Sequence, residues 1–277
     1  MRKDGTRVKN VDPFYMVAPY IMDKRYDAMN MVEEHVPVAG MTAYLNEKRR
    51  QGTPMSHLDI VLAAYLRTAC EFPLLNRFVV NKRIYTRNEF PVSMVVLKPG
   101  ETDGSFSKVK FEMTDTIFDV HRKFSEYVNE NRKTGENNST DKLVSTLLGI
   151  PGLVNIGVWL FKLLDKWGWL PKSIIDASPF HTSLVITNLG SIRTRQIYHH
   201  LYEFGTASMF IAMGMLEEVP MKKRDGMEFV RCLPMGIVMD ERIASGAYFA
   251  QVFARCKQYM ENPALLEEPP KVILKDE

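Results

Sequence analysis

The sequence predicts an α/β fold in two layers, a sandwich of helices on a predominantly β core. Three observations point to it. The chain has 277 residues, 45% of them hydrophobic, enough to bury one substantial core. Stretches with apolar residues at helical spacing alternate along it with stretches of period two. The strand-like stretches outnumber the helical ones, so the helices read as a layer laid on a sheet. One domain spanning 1–277 is expected, with no internal repeat and no low-complexity tract.

In order, Tyr26 to Val36 mixes apolar and polar residues like a half-buried strand, and Met41 to Arg50 reads as a short helix closed by Gly52. Ser56 offers an N-cap for a helix carrying Leu58, Val61, Ala64, Tyr65 and Ala69 at helical spacing, which Pro73 stops. Strands follow at Arg77 to Asn81, Arg83 to Arg87, Pro91 to Leu97 and Lys108 to Met113, with Pro99-Gly100 and Asp103-Gly104 as the turn between the last two. Ile117, Val120, Phe124, Tyr127 and Val128 mark an amphipathic helix that ends in the polar stretch Lys133 to Thr140. Further strands are predicted at Thr182 to Asn188, which enters Leu189-Gly190, and at Ala207 to Met213. Glu228 to Cys232 is read as leading through a short turn into Met235 to Asp240, before a closing helix from Gly246 to Met260.

Charge and composition narrow the function classes. The net charge is +3, from 36 basic and 33 acidic residues, and the basic clusters Lys48-Arg49-Arg50 and Lys222-Lys223-Arg224 lack interleaved aromatics. They read as solvated surface, so no nucleic-acid partner is expected. Cys70, Cys232 and Cys256 lack any Cys-x-x-Cys spacing, and no two of the six histidines have the i, i+4 spacing with a nearby carboxylate that holds zinc, so no metal is expected. With no signal-peptide pattern at Met1 to Gly5 and no long uncharged apolar run, a cytoplasmic location is expected.

One segment stands apart. Leu147 to Leu170 holds all three tryptophans, Trp159, Trp167 and Trp169, among Leu160, Phe161, Leu163 and Leu164, interrupted by Lys162, Asp165 and Lys166. It reads as an apolar helical insert at about 141–172. Two readings are open: an amphipathic helix meeting a membrane surface, a lipophilic acyl chain or a lipophilic acceptor, or a helical hairpin packed on the protein or on a neighbouring subunit.

The most telling stretch is Met239-Asp240-Glu241-Arg242-Ile243-Ala244-Ser245-Gly246-Ala247. It resembles the Asp-His-Arg-x-x-Asp-Gly-Ala signature of the 2-oxo acid dehydrogenase acyltransferase catalytic domain, whose fold is shared with chloramphenicol acetyltransferase. Asp59 to Tyr65 with Pro73-Leu74-Leu75-Asn76, Ile186-Thr187-Asn188-Leu189-Gly190 and Asn262-Pro263-Ala264-Leu265-Leu266 are similar to further stretches of that family, in the same order. The resemblance runs from about Tyr26 to Leu266 and implies the chloramphenicol acetyltransferase-like fold.

It also implies a chemistry. In the family a histidine takes the proton from the thiol of coenzyme A or dihydrolipoamide, and the thiolate attacks an acyl thioester. Here Glu241 stands in its place, and a glutamate, near 4.3 when unperturbed, is a weaker base than a histidine near 6.5 unless its surroundings retune it. By position Thr187, with Asn188 beside it, would supply the donor to the oxyanion. The bland reading of Thr187 to Gly190 is a strand-end turn. Ser245 replaces the usual aspartate, Asp240 and Arg242 flank the base position, and His199 or His200 is a candidate substitute base. Family members form trimers with each active site shared between two chains, so a homotrimer or a multiple of three is implied. The preceding lipoyl domain of the family is missing from this sequence, so a free acyl thioester, coenzyme A or acyl-coenzyme A as substrate, is expected in place of a lipoyl-linked donor. Two functions follow: acyl transfer between a coenzyme A thioester and an acceptor, or a catalytically inactive homologue kept for binding or assembly.

Overall fold

The computed structural model describes residues 2–97, 104–132, 153–224 and 226–276. Its main sheet holds β2 (Met29–Pro37), β10 (Gly226–Asp240), β8 (Met209–Met213), β7 (Leu184–Asn188), β5 (Phe90–Leu97) and β6 (Gly104–Phe111) side by side in that order. A seventh strand, β9 (Glu217–Lys223), pairs with the first half of β10. β7 runs parallel to both neighbours, and the other pairings are antiparallel. A small sheet orders β1 (Gly5–Arg7), β4 (Arg83–Arg87) and β3 (Arg77–Val80).

The helix layer is built from α2 (Ala39–Arg50), α3 (His57–Glu71), α4 (Ile117–Asn131) and α7 (Gly246–Glu261), with α3 at its centre against α4 and α7. Local sequence explains the starts of α3 and α4. Ser56 and Asp59 form a capping box, the Asp59 amide donating to Ser56 Oγ at 3.3 Å and the Ser56 amide to Asp59 Oδ2 at 2.7 Å. Thr116 and Asp119 repeat that exchange for α4. Such boxes satisfy amides that the first turn leaves without partners. The remaining helices are α1 (Pro13–Ile21), α5 (Leu153–Trp167) and α6 (Lys172–Ala177).

The central strands are buried on both faces. Ile186, Ile211, Ile237 and Met239 join the core under the helices, while Val185, Phe210 and Val238 pack with Leu201 and Ala207 on the opposite face. The coil joining β7 to β8 covers that second face and comes so close that a Cβ on Gly236 would overlap the Ile197 carbonyl. Gly236→Ala is therefore expected to lower stability by about 1–3 kcal/mol through forced displacement, read as a lowered urea midpoint.

Three sequence expectations need correction, the first being that the strand expected at Lys108 to Met113 is Gly104–Phe111 and so takes in Gly104 of the expected turn. The strand expected from Tyr26 starts at Met29, because Arg25–Ala28 closes as a 3-10 turn. The turn expected between Cys232 and Met235 is absent: β10 runs unbroken through Pro234. The proline is tolerated because β10 changes partners there. β9 pairs it up to Cys232 and β8 from Met235, so the missing N–H costs no ladder bond on that side. The turn residues Pro99, Gly100 and Asp103, the stretch Lys133 to Thr140 and the first part of the insert, 141–152, lie outside the described residues. Among the described residues no helix is long and apolar enough to cross a membrane.

One half-buried cation is expected to make stability depend on pH. Lys108 Nζ donates to the His181 carbonyl at 2.9 Å and to that of Ile175, and burial, aided by the Arg87 charge, lowers its amine to about 7. An unfolded lysine titrates near 10.4, so between about pH 7 and pH 10 the unfolded chain binds the extra proton and stability rises with pH. Urea midpoints should climb over that window, and Lys108→Met should flatten the climb.

Candidate active site

At the end of β10 the chain makes a tight, charged corner. Asp240 is fully buried and accepts from Arg242 twice, Nε to Oδ1 at 2.8 Å and Nη2 to Oδ2 at 2.7 Å. Arg25 Nε lies 3.6 Å from Asp240 Oδ2, and burial together with the Arg242 charge holds its guanidinium below the usual range. Arg25 also donates to the carbonyls of Tyr202, Gly205 and Val79, and Arg242 to that of Met22. Asp240 and Arg242 are thus the clamp that fixes this corner.

Glu241 follows, half-buried. Its amide donates to the Ala28 carbonyl at 2.9 Å, and its Oε2 accepts from Asn30 Nδ2 at 2.6 Å. No ion pair reaches its carboxylate among the described residues, so an orienting amide is its neighbour and no cation neutralises it. Asn30 also borders a cleft of about 650 Å³ between β2 and α7, where Met239, Phe249 and Lys257 form part of the wall. Ser245 sits apart from this chemistry: it is exposed and caps α7, its Oγ accepting from the Tyr248 amide at 3.1 Å. Serine and aspartate cap helices about equally well, so this cap does not need a carboxylate.

Thr187 and Asn188 close β7 at the other end of the sheet. Thr187 shares the face of Val185, and its Oγ1 is buried without a hydrogen-bond partner among the described residues. Asn188 borders a cleft of about 680 Å³ with Arg49, His57 and Arg231. Register fixes how far these residues lie from Glu241. Thr187 pairs with Ala212, Ala212 with Gly236, and Glu241 is five residues further along β10. At about 3.3 Å per residue and 4.8 Å per strand, the separation is about 19 Å. One chain does not bring Glu241 and Thr187 together.

His199 lies on the sheet face between those ends, its ring stacked on Phe210 with centroids 4.3 Å apart. Burial, with the neighbouring His200, lowers its pKa, and its Nε2 is buried without a partner among the described residues. His200 is exposed. Sequence reasoning missed Asn30 and Arg25. Both flank the start of β2, some two hundred residues from the corner that they serve, and only the pairing of β2 with β10 reveals them.

Comparison with known proteins agrees with this architecture. Residues 181–267 match the family 2-oxoacid dehydrogenases acyltransferase (catalytic domain), a span that contains Thr187, Glu241 and Ser245. Similar solved structures include the dihydrolipoamide acetyltransferase of Azotobacter vinelandii, at 11% identity and a TM-score of 0.60 over 91% of this chain and 88% of that one. A serine, a histidine and an asparagine are studied there for their role in the catalytic mechanism. The cubic core of a pyruvate dehydrogenase multienzyme complex matches at 10% identity and a TM-score of 0.60, over 94% and 93% of the two chains. A chloramphenicol acetyltransferase matches at 8% identity and a TM-score of 0.55, over 92% and 99%. No curated protein matches. The resemblance expected from the sequence therefore holds: a chloramphenicol acetyltransferase-like fold over nearly the whole chain, with an acyltransferase family signature in 181–267.

Proposed function

We propose that this chain, acting as one catalytic unit, is a coenzyme A-dependent acyltransferase whose active site forms between two copies of a trimer. The observation that carries the reading is the Thr187 hydroxyl, buried and without a partner among the described residues, about 19 Å from Glu241 of its own chain. A buried hydroxyl without a partner is costly, and a role in receiving a ligand's oxygen accounts for it.

In this reading the Glu241 carboxylate, oriented by Asn30, takes the proton of the acceptor thiol. The thiolate attacks the thioester carbonyl, and the negative charge gathers on its oxygen. Thr187 of the neighbouring copy, with Asn188 beside it, donates a hydrogen bond to that oxygen. Collapse of the tetrahedral intermediate expels the coenzyme A thiolate, which recovers the proton from the Glu241 carboxylic acid. Asp240, Arg242 and Arg25 position the corner, Ser245 caps the helix behind it, and His199 and His200 are the substitute bases if Glu241 is not used. No side chain of the site specifies the acceptor.

A second reading rests on the glutamate itself: exchange of the family's histidine favours a homologue retained for binding or assembly. Turnover separates the two. Mixing the protein with acyl-coenzyme A and a dithiol acceptor and following thiol release should give saturable acyl transfer, and its absence across short and long acyl chains would leave the non-catalytic reading standing. The assembly has its own test. Light scattering coupled to size exclusion should return the mass of a trimer or a multiple of three, and a monomeric mass at micromolar concentration would dismantle the shared site.

A further inference from the structure

Helix α5 carries a stripe that the acyl-transfer reading does not use. Ile156, Trp159, Leu160, Leu163 and Trp167 recur at spacings of three and four, so they share one face, and all are exposed, Trp159 by 63% and Trp167 by 53%. Lys162 and Lys166 run along one edge of that stripe, while Asp165, on the inner side, is held by Arg2 and lies 3.3 Å from His181 Nε2. Buried apolar packing therefore does not account for this face among the described residues. Helix α1 offers a second exposed apolar face, with Phe14, Val17, Tyr20 and Ile21.

Helix α5 and the segment that follows α1 line one basic cleft of about 350 Å³. Lys24, just past α1, Lys82 in the β3–β4 turn, and Lys162 and Lys166 of α5 all line it, and none of the four forms an ion pair among the described residues. Arg25 and Arg242 line it too. The acidic residues there are Asp23, Asp165 and Glu203, of which Asp165 is tied to Arg2 and Glu203 accepts from the Arg25 amide. Lys82 has φ +58°, following Asn81 at +49°, in a tight hairpin position that favours glycine. Lys82 thus holds a conformation of some backbone cost at the edge of this cleft, its Nζ 4.9 Å from the Tyr20 ring.

We propose that this face docks on an anionic phospholipid membrane, the cleft taking a phosphate headgroup while the α1 and α5 side chains enter the interfacial layer. The charge pattern selects this occupant: lysines bordering an apolar stripe with tryptophan suit a surface that is negative outside and apolar within. A second copy of the chain would have to supply both features from one patch. The inference is independent of acyl transfer, since it needs neither a thioester nor Glu241.

The test uses the intact protein with vesicles of phosphatidylcholine alone or mixed with phosphatidylglycerol. Sedimentation with the mixed vesicles, weakened by salt, and a shift of tryptophan emission to shorter wavelength are expected, because all three tryptophans lie in or just after α5. Replacing both Lys162→Gln and Lys166→Gln should weaken binding about thirtyfold, and Trp159→Gln with Trp167→Gln should abolish it with thermal unfolding unchanged. The proposal falls if the folded protein ignores mixed vesicles or if the lysine variants bind them equally well. It also falls if the tryptophan variants change the mass in solution and leave vesicle binding intact, which would assign the face to a copy of the chain.

Discussion

Glu241→Gln is expected to lower kcat about 10²–10⁴-fold in the acyl-coenzyme A assay, the usual share of a general base. The amide keeps the shape of the carboxylate and removes its proton acceptor. Asn30 Nδ2, now 2.6 Å from Oε2, still finds a carbonyl oxygen to donate to, so the corner should keep its geometry. KM should change little, because the contact that is lost acts on the proton in flight and not on the resting thioester. Unfolding temperature and solution mass are the controls, and both should match the parent. Glu241→His should raise thiol transfer, since imidazole titrates nearer neutral pH. Undiminished turnover in the glutamine variant would move the base to His199 or His200.

Asp240→Asn is expected to lower stability by about 3–5 kcal/mol, the range for a buried ion pair that loses one partner. The carboxylate is fully buried and faces both Arg242 and Arg25, so its neutralisation leaves two guanidiniums close together in the interior. For a chain of this size that corresponds to a fall of about 10 °C in Tm. Asp240→Glu is the companion variant: it retains the charge, and a smaller loss would locate the effect in electrostatics and not in volume. An unchanged Tm for the asparagine variant would contradict the clamp.

What the sequence revealed follows from the range of the interactions involved. The helix at Ser56 was legible because its start depends on Asp59, three residues away. The amphipathic α5 was legible because its periodicity is local. Pro234 misled, since its acceptance depends on which strands flank β10 at that point, a property of the assembled sheet. The candidate site divides in the same way. Glu241 and Thr187 stand out through motif resemblance, whereas Asn30 and Arg25 belong to no motif and gain their roles by the pairing of β2 with β10. The separation of Glu241 from Thr187 is likewise a matter of register, which no single segment encodes.

The pairing of β2 with β10 has a consequence for how the protein is made. Strand β2 has its ladder partner in Met29↔Asp240 through Pro37↔Cys232, at the opposite end of the chain. On the ribosome it must wait for about two hundred further residues, which at about 5–20 residues per second takes about 10–40 s. Throughout that interval the edge of β2 that β10 will cover has no partner to close on. A strand synthesised ahead of β10 by about two hundred residues is therefore among the last to be secured in the main sheet.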